Sequence, residues 1–165
     1  AVRRGILPLI TVRMGREREQ LRSGNVFVWE ECVSPDGGGG LVRWTDGRRW
    51  SQSKVHADCL FYEEKIEVTE EEREAKALRR VKRICNPGTS VPPPSRNRRP
   101  AKFGGLTKQT YSFQVRVPGE YSVVRKWHLV AYTVWSDRGT LPTVEDYSLL
   151  RDIVVPTGIF TRSRV

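Results

Sequence analysis

The chain has 165 residues, 38% of them hydrophobic, with 29 Lys plus Arg against 19 Asp plus Glu for a formal charge of +10. That length supports one hydrophobic core rather than two independent ones, and five Trp, five Tyr and five Phe supply large buried areas from few residues. The charge points to a polyanionic partner, no apolar run reaches the roughly 18 residues that span a bilayer, and three cysteines with no CxxC spacing exclude a disulfide framework or a zinc ribbon and indicate a reducing compartment.

The apolar part of the start, AVRRGILPLI, is too short for a signal peptide, and the missing initiator Met suggests a piece of a longer protein. GREREQLRS at 15–23 is helix-tolerant and Gly24 stops it, so a short helix is expected to end there. In NVFVWEE at 25–31, Val26 and Val28 fall on one face and Phe27 and Trp29 on the other, which predicts a central strand covered on both sides. SPDGGGG at 34–40 is a connector, without the GK[ST] that would make it a phosphate loop.

RWTDGRRWSQSK at 43–54 follows, with two tryptophans, four basic residues and a Thr-Asp-Gly turn. One reading makes Trp44 and Trp50 core or rim residues around a hairpin turn at Asp46-Gly47. The other presents Arg43, Arg48 and Arg49 from a preorganised loop, where guanidinium forks suit phosphates, guanine edges or a narrowed A/T minor groove. Thr45, Ser51 and Ser53 would add hydroxyls toward backbone oxygens. At least one of the two tryptophans is expected to anchor the loop, which favours duplex over single-strand stacking.

CLFYE at 59–63 predicts a strand, and Thr69-Glu70-Glu71-Glu72 forms a capping box opening a helix over 70–84, with Lys82-Arg83 suiting its C-terminal dipole. From Ala75 to Gly119 there is no acid and eleven cations. Within that stretch, 86–105 is Pro, Ser, Asn, Arg and Gly rich and predicts a mobile linker. Arg79-Arg80 with Lys82-Arg83, then Arg96 with Arg98-Arg99, resemble a split nuclear-import signal, although a solvated helix end beside a polycation explains them equally.

Thr110 to Val117 alternates, which puts Tyr111, Phe113, Val115 and Val117 inward and Thr110, Ser112, Gln114 and Arg116 outward before a Pro118-Gly119 turn. WHLVAYTVW at 127–135 reads as a second buried strand, and Thr143-Val-Glu-Asp opens a short helix through Leu150. The sum is an α+β class: an antiparallel β-rich unit from two halves, 1–84 and 105–165, joined by a basic linker at 85–104.

Catalysis finds little support. His56 and His128 are the only histidines, neither spaced as a metal site or nucleophile–base pair, and Glu145 and Asp146 are explained by a helix N-terminus. No metal, cofactor or small-molecule substrate is expected, and no oligomeric state follows.

RSGNVFVWEE at 22–31, RWTDGRRWSQSK at 43–54 and GLTKQTYSF at 105–113, in that order, resemble the WOPR domain, a family of fungal transcription regulators. AVRRGILP resembles the end of that family's first helix, and HLVAYTVW at 128–135 a strand of its second half. The resemblance implies a nuclear, non-catalytic domain that binds A/T-rich double-stranded DNA through two interleaved segments. It maps the DNA contacts onto Arg43, Trp44, Thr45, Asp46, Gly47 and Arg48, with weaker correspondence at Arg22-Ser23-Gly24 and Lys108-Gln109-Thr110. The family's opening strand and most of its first helix have no counterpart here, and Gln52 and Lys54 stand where it often carries Pro and Arg. From the residues alone, an RNA or single-strand binder stacking bases on Trp44, Trp50 and Tyr111, or a basic protein-interaction module, remain alternatives.

Overall fold

The structure, a computed structural model, describes residues 1–12, 15, 20–32, 40–67, 69–85, 99–116 and 123–163. Seven strands form one mixed sheet: β1 (Leu9–Ile10), β2 (Val26–Glu31), β3 (Lys54–His56), β4 (Cys59–Glu63), β5 (Leu106–Arg116), β6 (Val124–Val134) and β7 (Phe160–Arg162). The spatial order is β1-β2-β6-β5-β4-β3, with β7 against β5. Only β1 and β2 run parallel.

The β5–β6 hairpin, from the second half of the chain, sits between β2 and β4 from the first. Neither half can complete its backbone pairing without the other. β5 begins at Leu106, four residues before the alternation becomes visible, because Leu106, Thr107 and Lys108 are all buried and mask the period of two.

Directly paired residues of antiparallel strands share a face. One face carries Phe27, Trp29, Val130, Tyr132 and Leu106, and Leu21 and Leu41 cover it from flanking segments to form the core cluster. The same register puts Lys108, Thr110 and Ser112 on that face, opposite Tyr132, Val130 and His128. The expected outward set of β5 is therefore half wrong: Gln114 and Arg116 are exposed, but Thr110 and Ser112 are half-buried against the aromatic core. Ser112 is admitted there because a polar partner waits for it, the ring of His128. Tyr111 and Phe113, half-buried, and Val115, fully buried, lie on the opposite face; Val117 is outside the described residues.

Helix α1 spans Glu70–Cys85, close to its predicted limits, and the Glu72 amide donates to Thr69 Oγ1 at 3.3 Å. Its apolar residues Leu78, Val81 and Ile84 are exposed. An ion pair from Arg99 to Glu72 ties it to the chain entering β5. The expected helix at 15–23 falls largely outside the described residues; its end is a turn in which Gly24 takes φ +88° and donates its amide to Tyr132 O. Residues 86–98 of the stretch assigned to the linker also lie outside. Its last part is anchored, with Lys102 N donating to Glu64 O and Lys65 Nζ to Arg99 O.

Past β6, Trp135 opens a 3-10 turn rather than ending the strand. The helix expected from Thr143 to Leu150 is a 3-10 turn, Val144–Asp146, and a separate short α2, Ser148–Arg151. Asp146 nonetheless accepts from the Thr143 amide and hydroxyl, as a helix-opening residue would. The AVRRGILP segment, expected as a helix end, holds a 3-10 turn at Val2–Arg4 and leads into β1.

Candidate nucleic-acid interface

The segment 43–49 carries no strand pairing, so the two-residue hairpin read from Asp46-Gly47 is replaced by a loop held through side chains. Asp46 Oδ1 accepts from the Arg48 amide at 3.1 Å, closing an Asx turn, and Gly47 takes φ +76°. Beyond the turn, Trp50 bridges Glu64, and Ser51 exchanges hydrogen bonds with Glu63, which zips the loop's end to β4.

Asp46 is the hub of this arrangement and is 4% exposed. Trp50 Nε1 donates to both its oxygens at 2.9 and 3.0 Å, Tyr132 OH donates at 2.7 Å and Lys108 Nζ at 3.0 Å. Tyr132 OH in turn accepts from Trp44 Nε1 at 2.7 Å. The Lys108 ammonium also lies over the rings of Trp50 and Tyr62, 4.4 and 4.9 Å from their centroids. Burial alone would raise the Asp46 pKa, but Lys108, Trp50 and Tyr132 outweigh it and hold the carboxyl below its ordinary value. Burial pushes the Lys108 ammonium down against the pull of Asp46, and the positive charge of Arg43 adds to the push.

A second hub stands beside it. Glu64 Oε1 accepts from Arg48 Nη1 at 2.8 Å and Lys102 Nζ at 3.1 Å, while Oε2 accepts from the Leu106 amide at 2.8 Å. Arg48 Nη2 reaches Leu21 O at 3.0 Å, which fixes the turn carrying Arg22 against the loop.

These contacts divide the residues singled out from the sequence. Trp44, Asp46, Arg48, Trp50 and Lys108 brace the loop from inside. Ser51, and Ser53 through its bond to Tyr62, hold it to β4, and Ser23 Oγ accepts from the Val134 amide. Thr45 is half-buried, its hydroxyl 3.5 Å from Arg43 O, and Thr110 is half-buried below the loop. Lys54 and Gln109 are not with the others. Lys54 belongs to β3, pairs with Glu63 and shares with Gln109 the opposite face of the sheet.

What remains exposed is cationic. Arg22, Arg43 and Arg49 are exposed, and among the described residues no acid stands within ion-pair distance of any of them. Arg43 rims an open cleft of about 850 Å³ lined by residues 40–48 with Trp50 and Lys108. The sequence did not foresee that Ser112 Oγ and Glu31 Oε2 each stand 2.8 Å from a His128 ring nitrogen. That constellation unites three strands, β5, β6 and β2, so no spacing could signal it. The ring stacks on Trp29 at 4.2 Å, is 7% exposed and lies outside the cleft, as a strap across the sheet would.

A mixed sheet with the second half's hairpin inserted between strands of the first, and a tryptophan-braced basic loop over one face, defines a recognisable architecture. It is similar to a structure described as "Fungal Protein", at 26% identity and TM-score 0.61 over 90% of this chain and 73% of that one. It shares its fold with the WOPR domain of Wor1 from Candida albicans in complex with a 17 bp double-stranded DNA, at 22% identity and TM-score 0.53 over 89% of this chain and 76% of that one.

The model of the Gti1/Pac2 family matches residues 1–97, and the chain belongs to that family. Among its relatives, the cAMP-independent regulatory protein pac2 of Schizosaccharomyces pombe is 43% identical over 65 residues, 39% of this chain. The global transcription regulator sge1 of Verticillium dahliae is 29% identical over 186 residues, 84% of this chain. The chain spans 26% of the first and 34% of the second.

Proposed function

We propose that the chain is the DNA-binding part of a transcription regulator, that it acts in the nucleus on A/T-rich duplex, and that its role is recognition rather than chemistry. The observation that carries this reading is Arg43. It is an exposed guanidinium without an acidic partner among the described residues, mounted on a loop whose backbone is fixed by the buried Asp46 hub. A guanidinium mounted on a fixed backbone spares the entropy of ordering the loop on docking and offers a bidentate fork to phosphate or base edges.

Arg22 and Arg49 flank it as phosphate contacts, with Thr45 within reach of the same surface. Trp44, Asp46, Gly47, Arg48, Trp50 and Lys108 serve by holding the loop. The rings of Trp44 and Trp50 face the core, Trp44 stacked 6.2 Å from Trp29 and Trp50 5.8 Å from Tyr132, which favours duplex over single-strand stacking. The regulator names of the relatives and the DNA complex of the Wor1 domain support the same reading.

Selection from randomised duplexes with wild-type and Arg43→Ala proteins at two salt concentrations tests it. An A/T-rich consensus for the wild type that blurs in the variant is expected. Equal enrichment of all sequences by both proteins overturns it.

A further inference from the structure

The sheet has a second exposed surface, on the face turned away from the loop. Phe61 pairs with Gln109 and His56 with Cys59, both positions whose side chains leave the sheet opposite to Leu60, Tyr62 and Lys108. Over Phe61 lies Arg138, whose guanidinium carbon is 5.7 Å from that ring's centroid and 4.2 Å from that of Trp135. His56 lies beside Phe61, its ring tilted by 48° and 6.4 Å from that of Phe61. Trp135 is 70% exposed, far more than a tryptophan placed for packing.

We infer that Arg138, clamped between Trp135 and Phe61, is the anchor of a docking surface for an acidic, partly apolar peptide segment of a partner protein. Two rings within cation–π distance of one guanidinium restrict its motion, while its N–H groups, which no acid among the described residues occupies, remain able to take a carboxylate bidentately. Arg138 has no acidic partner among the described residues. The neighbouring Asp137 is engaged with Ser136 and Ser23.

Beside the clamp, Val26, Ala131, Gln109 and Phe61 stand in one row across β2, β6, β5 and β4. Val26 is 49% exposed and the other three half-buried. Ala131 leaves a low point in the row beside Val26, so an apolar side chain of an extended segment fits there while its carboxylates meet Arg138. The uncompensated cation argues for an acidic segment rather than a second copy of this chain, itself strongly basic.

Nucleic acid is the less favoured occupant. The loop proposed to meet duplex lies over the other face, bonded to Tyr132 and Lys108, and a duplex held there cannot also lie against Phe61. In a regulator, that leaves this face open for a protein while DNA is bound. The chemistry of the clamp does not depend on the DNA reading.

The test is fluorescence anisotropy of a labelled peptide alternating Asp or Glu with Leu or Phe, titrated with the full chain, and the same titration with a Lys-for-acid peptide and with oligo-dT. Binding of the acidic peptide and not of the Lys-for-acid peptide is expected, weakened about tenfold by Arg138→Gln and by Trp135→Ala, and also weakened by Arg138→Lys because an ammonium cannot form the fork. Any oligo-dT binding, at the loop face, should be indifferent to Arg138→Gln. Duplex affinity and unfolding midpoint should be unchanged in Arg138→Gln, which alters an exposed side chain only. Acidic-peptide affinity indifferent to both Arg138→Gln and Trp135→Ala or weakened equally by Arg43→Ala, or oligo-dT affinity weakened by Arg138→Gln as much as the peptide's, overturns the proposal. Failure of the DNA reading would show separately, as absent duplex binding by the wild type with the peptide titration intact.

Discussion

Lys108 and Asp46 are 62 residues apart in sequence, and their side chains meet at 3.0 Å in a site where neither is more than 11% exposed. The pair joins the loop of the first half to the inserted hairpin of the second. Removing one partner of such a pair leaves the other charged and buried, which costs about 3–5 kcal/mol. Asp46→Ala should therefore destabilise the protein by about that amount in urea unfolding. Arg43→Ala, a few residues away but exposed, should change stability by less than about 0.5 kcal/mol while costing about 1–3 kcal/mol of DNA affinity. A similar stability loss in both variants would remove the distinction between brace and reader.

Stability should fall with acid in two stages. His128 is held below its ordinary 6.5 by burial, against the pull of Glu31 and with Lys126 opposing its charge. Its folded form resists the proton that the unfolded chain accepts, so stability starts to drop as pH falls below 6.5 and stops dropping once the folded ring is also protonated. Asp46 and Glu64 lie below their ordinary 3.8 and 4.5 despite burial, Asp46 through Lys108 above all and Glu64 through the Leu106 amide, Lys102 and Arg48. Their contribution is complete above those ordinary values and is lost as pH falls through the folded ones. Unfolding curves followed by tryptophan fluorescence should show both stages, with the first missing in His128→Gln.

The elements were more legible in the sequence than their partners. Thr69 and Glu72 announce α1 because a cap is local, and the apolar runs announce β2 and β6 as strands, but the cover on both faces that they suggest fails for β2, whose Val26 is 49% exposed. That the two halves interleave came from the family resemblance, but not that β5–β6 lies between β2 and β4, since no periodicity encodes which strand lies beside which. Asp46 read as a turn residue because Asp-Gly ordinarily is one; its burial depends on Lys108 and Tyr132, distant in sequence. Ser112 read as outward for the same reason, its partner His128 being on another strand. Arg48 is singled out with its loop and Lys108 through the family resemblance; that each is paired with a carboxylate was not legible, because Glu64 and Asp46 sit on other segments.

Duplex affinity should fall steeply with salt. If about five phosphates are neutralised, the slope of log affinity against log salt is near −4.5. Arg22→Ala and Arg49→Ala should each reduce its magnitude by about 1 and weaken all sequences alike, leaving the consensus intact. Arg43→Ala should change both slope and consensus. Filter binding across a salt series with an A/T-rich and a G/C-rich duplex separates the two behaviours, and a consensus change in Arg49→Ala would move the reading role off Arg43.

The two ends of the loop fail for different reasons when given a methyl group. A Cβ on Gly40 would stand 2.3 Å from Cys32 O, a backbone atom at the end of β2, while the Cys32 amide already donates to Leu41 O at 3.1 Å. Gly40→Ala must push the loop's root off the strand, so it should destabilise the protein and loosen Arg43 together. Gly47 has nothing within 4 Å of that position, and its constraint is the φ of +76° alone. Gly47→Ala should cost about 1–2 kcal/mol, and Gly47→Asn distinctly less because Asn tolerates the left-handed region. Unfolding curves of the three variants, with duplex affinity measured on each, check the contrast: an Asn at 47 that is as damaging as an Ala at 40 would mean that the loop has no open space at its tip.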